Sequence, residues 1–298
     1  MDMIYAIIVL YNPDMVLLEK EYESIVNQVD GIVYVDNSSN NKDFIEKWAL
    51  NKANAMFIFL SDNEGLSYAQ NRGIERALDN GAGHIVIFDQ DSVINEGFVS
   101  ALLDAEKKAI SNGINVGITG PVYYSYDDNF FYPIRSVIKG KVVKISLDEF
   151  HDYYQVSHII ASGQMIKREV LEKVGLMRED YFIGYIDYDY CFRVLSAKYE
   201  IIVAKSAVMH HKMGDSQVMI FGRKIGIYSP FRRYFDCRNT ILIQRDKIIP
   251  RVLRLYFLKI LIGKIFVSVV YGPHRIKQFK FCLRGLYDGI RNIRGKFE

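Results

Sequence analysis

His84-Ile-Val-Ile-Phe-Asp-Gln-Asp-Ser92 is the stretch on which the reading of this chain turns. The residues up to Phe88 are apolar or favour extended backbone, as in strands buried on both faces of a parallel sheet. Two carboxylates follow at once, Asp89 and Asp91, with Gln90 between them. Alternation along an extended chain turns residues i and i+2 to the same side. Open α/β sheets bind ligands beyond the carboxyl ends of their strands. Two carboxylates there suit a hard divalent cation that also grips phosphate oxygens. A pair of solvated loop acids is the alternative, and the neighbouring segments bear on the choice.

Upstream, Ile4–Tyr11 reads as a first buried strand broken by Asn12-Pro13, and residues 14–28 as a helix. Gly31–Val35 is a second strand running into Asp36-Asn-Ser-Ser39. Phe44–Ala53 is a helix, Ala55–Leu60 a third strand, and Leu66–Asn80 a helix stopped by Asn80-Gly81. Strands alternating with helices predict a mostly parallel, doubly wound α/β sheet. Downstream of Gly120-Pro121 the pattern loosens. Residues 123–132 read as an aromatic and polar loop, and 134–160 as weakly alternating antiparallel strands. Short helices follow at 167–174 and 187–197, then a strand at 200–204 leading to His210-His211. From Ser229 the chain reads helical to its end, with breaks at Pro250 and Gly272-Pro273. We therefore expect a body at 1–228 and a helical, basic region at 229–298.

The length of 298 residues, half of them hydrophobic, allows one large domain with an appendage. Cys191, Cys237 and Cys282 are scattered, which points to a reducing cytosol and away from a zinc site or disulfide framework. The residues before Ile4 carry no basic, cleavable pattern, so no signal peptide is expected. The net charge of +3 conceals an asymmetry: residues 245–298 hold 13 Lys and Arg but 3 Asp and Glu. A basic tail on an acidic body implies an anionic partner surface.

Each polar cluster of the first half lies just after a strand: Tyr11-Asn12, Asp36-Asn37, Asn63, and Asp89/Asp91. A parallel sheet brings those ends to one edge. Further on, Asp187 and Asp189 stand among bulky apolar neighbours in Tyr185–Arg193. A carboxylate in such a pocket has a raised pKa and serves as a general base. Acids favoured by a helix N-terminus are the other reading.

Taken together the residues resemble family 2 inverting glycosyltransferases of the GT-A fold, and among them bacterial enzymes that use dTDP-rhamnose. The resemblance covers about residues 3–245. It rests on Leu10-Tyr-Asn12, Val35-Asp-Asn-Ser38, Asn63-x-Gly65 with Ala69-x-Asn71-Arg72-Gly73, and Asp89-Gln90-Asp91. It continues through Ser162-Gly163, Ile186-Asp187-x-Asp189 with Arg193, His211-x-x-Gly214-Asp215, and Arg233-Tyr234 with Arg238-Asn239. Relatives commonly have an acid where Gly184 stands and Glu where Asp189 stands.

The resemblance implies that Asp36 hydrogen-bonds the nucleotide base, with Tyr11 and Asn12 bordering it. An Asx turn into Asn37-Ser38 is the rival reading of Asp36. Arg72 is expected toward the diphosphate. Asn63, Gln90, Ser162, Gly163, Asp189 and Arg193 are expected at substrate. Asp91 is the expected metal ligand, Asp89 holds ribose or a metal-bound water, and His211, in preference to His210, is a third ligand for Mn²⁺ or Mg²⁺. Asp187 is the expected base. No Ser or Cys with a paired base appears, so the mechanism expected is a single in-line displacement with inversion. From β-linked dTDP-L-rhamnose this gives an α-L-rhamnoside. The sequence does not fix the acceptor; the resemblance implies a glycan or a polyprenyl-diphosphate-linked oligosaccharide in cell-surface polysaccharide synthesis, and no nucleic-acid partner is expected.

Three rival readings exist. A dehydrogenase needs a glycine-rich turn after the first strand, and residues 10–16 contain no glycine. A non-catalytic nucleotide-sugar binding module would not need Asp187 with Arg193. A transferase using another hexosyl or a galactofuranosyl UDP-sugar stays open. In the tail, Ile276, Phe279, Leu283, Leu286, Ile290 and Ile293 recur at helical spacing, with Lys277, Lys280, Arg284, Arg291 and Arg294 on an adjoining arc. A basic amphipathic helix of this kind reads as a membrane-surface element, which places the protein peripherally on the cytoplasmic leaflet. The same stripe also suits packing on the body or a homodimer seam.

Overall fold

The computed structural model describes residues 2–125, 129–149, 151–210, 216–220 and 223–297, with backbone alone at 216–220 and 223–227. The first half runs β1 (Met3–Leu10), α1 (Met15–Ile25), β2 (Gly31–Asp36), α2 (Lys42–Ala49), β3 (Ala55–Phe59), α3 (Leu66–Asp79), β4 (Ala82–Asp89) and α4 (Phe98–Ser111). Then come β5 (Val116–Ser125), β6 (Phe130–Phe131), β7 (Ile134–Ile138), β8 (Lys141–Ile145), β9 (Tyr153–Val156), β10 (Gln164–Lys167), α5 (Arg168–Val174), α6 (Ile186–Ser196) and β11 (Glu200–His210). After the β12–β13 hairpin (Ser216–Ile220, Arg223–Ile227), helices α7 (Pro230–Ile243), α8 (Arg251–Val270) and α9 (Arg275–Ile290) close the chain.

The main sheet is ordered β3-β2-β1-β4-β10-β5-β11-β9, with β6 added to β5. Strands β1 to β4 are mutually parallel, β10 is antiparallel to both neighbours, and β11 is parallel to β5. The mostly parallel α/β sheet is therefore as expected. Alternation splits the core between its two faces. Ile7, Val33, Val35, Ile85 and Ile87 lie with Ala69, Ile74 and Ala77 of α3. Ala6, Ile8, Leu10, Ile32, Tyr34, Val86 and Phe88 lie with Leu18 of α1 and Leu102 of α4. Helix α3 comes close because Gly73 has no side chain; a Cβ there would stand 2.6 Å from Ile7 Cγ2.

Two differences from the expected elements have physical reasons. Helix α4 is absent from the sequence reading, although Phe98, Val99, Leu102, Ala105 and Ala109 are buried at helical spacing. Strand β5 runs through Gly120-Pro121 into the stretch expected to be a loop. Proline lacks the N–H a ladder needs, but its partner β11 jumps register there, from Val203 opposite Gly120 to Val208 opposite Val122. The irregularity absorbs the missing donor and lets both strands continue, β11 as far as His210.

Candidate active site

The chain leaves β1 toward β2 and β3 and returns to the other side of β1 with β4, so the topological switch lies between β1 and β4. Their carboxyl ends carry Tyr11 and Asp89. Gln90 fastens them: its Oε1 accepts from Tyr11 N–H at 2.8 Å and its Nε2 donates to the Tyr11 carbonyl at 3.3 Å. The Asp89 N–H donates to Ser92 Oγ at 3.1 Å and Ser162 Oγ at 3.2 Å, and the two hydroxyls bond each other at 3.0 Å. Asp89 is thus held where β4 and the turn into β10 meet.

Two hollows open at this edge. The larger, about 480 Å³, is lined by Tyr11, Asn37, Asn63, Gly65, Asp89, Gln90 and Asp91 from the strand ends, and by Phe182, Ile183, Ser229, Phe231 and Arg232 from the far side. The smaller, about 200 Å³, is lined by Gln70, Asp89, Ile160, Ala161, Ser162, Gly184, Ile186, Asp187 and Arg232. Leu66, Asp89 and Arg232 line both, so the hollows are two compartments of one cleft.

Asp187 opens α6, where Tyr185 takes a left-handed conformation (φ 65°) before the helix begins. Its Oδ1 accepts from the Tyr188 N–H at 3.0 Å. Burial is the largest influence on its carboxyl and lifts the pKa from 3.8 to about 6. Backbone hydrogen bonding pulls it down, the negative charge of Asp89 pushes it up, and Arg232 pulls it down again. A half-buried carboxyl in that range, facing a cleft, is basic enough to take a proton and ionised at neutral pH.

The strand-end residues Tyr11, Asn63, Asp89, Gln90 and Asp91 come together as the sequence reading expects, with Ser162 on the adjoining wall. Asn63 also shapes the turn, its Oδ1 accepting from Asn37 Nδ2 and from the Gly65 N–H. Asp36 is buried at the end of β2 and lines neither hollow. One oxygen accepts from the Ser39 N–H at 3.2 Å, so the Asx turn exists, and the other has no hydrogen-bond partner among the described residues. Asn12 lines neither hollow; its Oδ1 accepts from the Asn40 N–H at 2.7 Å. Gly163, at φ 81°, carries the turn into β10, where a Cβ would stand 2.7 Å from Pro121.

Three expectations need correction. Asp189 is fully buried and pairs with Arg193 at 2.8 Å and Arg178 at 3.2 Å, so it is not a substrate contact. Arg193 also donates to the carbonyls of Val174 and Leu176, and Arg178 reaches Asp246 at 2.7 Å. These groups tie α6 to the segment before it and to the end of α7. Arg72 lines neither hollow; its guanidinium lies 2.9 Å from Glu75 and over the Tyr68 ring. Among the described residues the cation lining the cleft is Arg232, which the sequence reading passed over. It stands in the first turn of α7, where Ser229 caps the helix and Pro230 opens it. A capped helix N-terminus attracts anions, and that signal was available. His211 lies outside the described residues. His210 ends β11 with its ring edge-on to Tyr124 at 5.9 Å.

Asp89 and Asp91 are hard oxygen donors at the edge of the larger hollow, a set that fits a divalent ion completing its shell with water and phosphate. No cluster of three or more such ligands occurs among the described residues.

Comparisons with known proteins bear on the family and the fold. The family model for glycosyl transferase family 2 matches residues 5–175. The chain is 34% identical to the dTDP-rhamnosyl transferase RfbF of Shigella flexneri over 98% of this chain and 97% of that protein. It is 24% identical to the low-salt glycan biosynthesis hexosyltransferase Agl10 of Haloferax volcanii, over 94% and 90%. Among solved structures, GalNAc-T7 with UDP, GalNAc and Mn²⁺ aligns at a TM-score of 0.62 and 13% identity. That alignment covers 98% of this chain but 56% of that one. Staphylococcus aureus TarS 1-349 with UDP-GlcNAc aligns at 0.54 and 14%, over 98% and 81%. These two likenesses bear on the fold.

Proposed function

The chain belongs to glycosyl transferase family 2 and is a glycosyltransferase; on that premise we propose that it transfers L-rhamnose from dTDP-L-rhamnose, with inversion, to a hydroxyl of a glycan or polyprenyl-diphosphate-linked acceptor at the cytoplasmic side of the cell membrane. The observation that carries the catalytic reading is the placement of Asp187 in the smaller compartment, across Asp89 and Arg232 from the larger one. The choice of rhamnose rests on the near full-length likeness to RfbF.

In this reading the nucleotide lies in the larger compartment. Tyr11 borders the ring, and Asp36, next in the chain to the lining residue Asn37, offers its second oxygen to the imide N–H of thymine from beneath that wall. Arg232 and the first turn of α7 face the diphosphate and hold its charge as the anomeric bond breaks. A divalent cation held by Asp91 and Asp89, Mn²⁺ or Mg²⁺, supplies further neutralisation of the leaving diphosphate when bound. The acceptor hydroxyl enters the smaller compartment and gives its proton to Asp187. Gly184, with nothing within 4 Å of where a Cβ would stand, leaves room on that wall.

The test is donor discrimination. Thermal unfolding and turnover are measured with dTDP-L-rhamnose, UDP-glucose, UDP-N-acetylglucosamine and UDP-galactofuranose in the presence of Mn²⁺. A ligand that binds only the folded state at 100 times its Kd adds about 2.7 kcal/mol of stability. dTDP-L-rhamnose should stabilise and turn over. Stabilisation and turnover by a UDP-hexose, with none by dTDP-L-rhamnose, overturn the donor assignment.

A further inference from the structure

Helix α9 is packed inside out. Its buried residues are Gln278, Cys282, Gly285, Asp288 and Gly289, small or polar. They face α7 so closely that a Cβ on Gly285 would stand 2.4 Å from the Tyr234 carbonyl oxygen, and one on Gly289 2.8 Å from that of Arg238. Ile276, Phe279, Leu283, Tyr287 and Ile290 are 48–75% exposed. At 3.6 residues per turn these five fall within an arc of roughly 80°, on the side opposite the buried face. Helix α8 continues the surface: Leu255, Ile262 and Phe266 are 51–67% exposed at spacings of seven and four. Helix α8 buries Leu253, Phe257 and Leu261 on its other side, so each helix keeps a second apolar face in solvent beyond the one the body covers or replaces with small and polar residues. Isolated exposed apolar residues are normal; a contiguous face marks an interaction surface.

Charge identifies the occupant. Arg284 is paired with Asp288 and Arg294 with Asp180, so those two are committed within the chain. Lys259 on α8, with Arg275 and Lys280 on α9, has no ion pair among the described residues, and neither does Lys277. Arg275, Lys277 and Lys280 also line a shallow hollow at the α8–α9 turn, beside Ile276. An apolar stripe edged by free cations matches a lipid interface with anionic headgroups. It does not match a two-fold seam, because that would gather the cations of both copies into one interface whose helices carry a single acid, Asp288, already paired with Arg284. Among the described residues no helix is long and apolar enough to cross a membrane.

We propose that the joint face of α8 and α9 docks on the surface of an anionic lipid bilayer. The docked helix is linked to the cleft. After α9 the chain returns to the rim, where Gly295 N–H bonds the Asp180 carbonyl at 2.8 Å and Lys296 meets Glu64 at 2.6 Å. Phe297 packs edge-on against Phe231, which lines the larger compartment. A membrane contact through α9 thus fixes how the cleft is presented to whatever the bilayer carries.

The test uses the full chain with sedimenting vesicles of phosphatidylcholine alone or mixed with an equal amount of phosphatidylglycerol. The wild type should sediment with the mixed vesicles at low salt, sediment poorly with phosphatidylcholine alone, and be released as salt rises. The triple variant Ile262→Glu, Phe279→Glu, Leu283→Glu changes exposed residues only, so it should fold and bind nucleotide as the wild type does. Its partition onto mixed vesicles should fall at least tenfold. The pair Lys277→Ala, Lys280→Ala should lose the dependence on phosphatidylglycerol. Wild type that stays in the supernatant with mixed vesicles overturns the proposal. So does a triple variant that binds undiminished, or a wild-type dimer, indifferent to vesicles, that the triple variant turns into a monomer.

Discussion

Replacing Asp187 by Asn removes basicity and keeps shape, and the structure sets what should follow. With the carboxyl near 6, about nine tenths of the wild type is competent at pH 7 and about one tenth at pH 5. The wild-type rate should therefore climb with pH through an acid limb near 6 and then level. General-base contributions are about 10²–10⁴-fold, or roughly 2.7–5.4 kcal/mol of barrier, and Asp187→Asn should lose kcat by that amount with donor affinity unchanged. Stability separates this from misfolding. The native carboxyl is raised from 3.8, so the folded state loses stability as pH rises from about 4 through 6, by up to roughly 3 kcal/mol. The Asn variant lacks that penalty and should melt higher than wild type at pH 7, but not below pH 4. Nucleoside diphosphate release with acceptor present gives the rate, and thermal melts at the two pH values give the stability. A variant that keeps more than a tenth of wild-type kcat, or whose residual rate still shows the limb near 6, refutes the role of Asp187.

Excess EDTA should abolish transfer and Mn²⁺ or Mg²⁺ restore it, with Asp91→Ala inactive and without metal-dependent nucleotide binding in calorimetry; full activity of that variant in EDTA would remove both acids from the metal. Arg232→Ala should raise the donor KM and move the acid limb of Asp187 upward, because the guanidinium lowers that pKa; Arg72→Ala should do neither, and the reverse pattern in steady-state pH profiles would restore Arg72 to the site. Glu21 is wholly buried on α1 and held well above the usual carboxylate range, chiefly by desolvation and then by the charges of Asp91 and Asp89. The folded state keeps its proton where the unfolded chain has lost it, so stability falls with rising pH above about 4.3. Glu21→Gln should flatten that decline in denaturant titrations across pH, and an unchanged slope would show that Glu21 is ionised in the fold.

Much of the site was legible because parallel-sheet geometry converts sequence order into position. Once Ile4–Tyr11 and His84–Asp91 read as buried strands, Tyr11, Asn63 and the two aspartates had to reach one edge, whatever their individual roles. What the sequence hid was the choice between equivalent residues. Arg72 and Arg232 both lie on helices near the edge. Which one enters the cleft depends on helix rotation: Glu75 and Glu179 draw Arg72 aside, at 2.9 and 3.9 Å. Likewise Asp187 and Asp189 share one motif, and only the fold shows Arg178 and Arg193 closing over the second. Arg178 also meets Asp246, 68 residues away along the chain, and no local pattern announces such a contact.

The tail shows the same limit from the other side. Its stripe was visible in the sequence, but the usual inference sends an apolar stripe inward, and here the body takes the opposite face. The cause lies in α7. Its own face toward α9 is backbone and short side chain around Tyr234, Cys237, Arg238 and Ile241, and it accepts glycine where a Cβ would collide. Two helices that meet through Gly285 and Gly289 leave no room for Leu283 or Phe279 between them. Large-residue periodicity reports where a helix can bury area; small-residue periodicity reports where it can come close. In α9 close approach sets the contact with the body, and Ile276, Phe279, Leu283, Tyr287 and Ile290 are left in solvent.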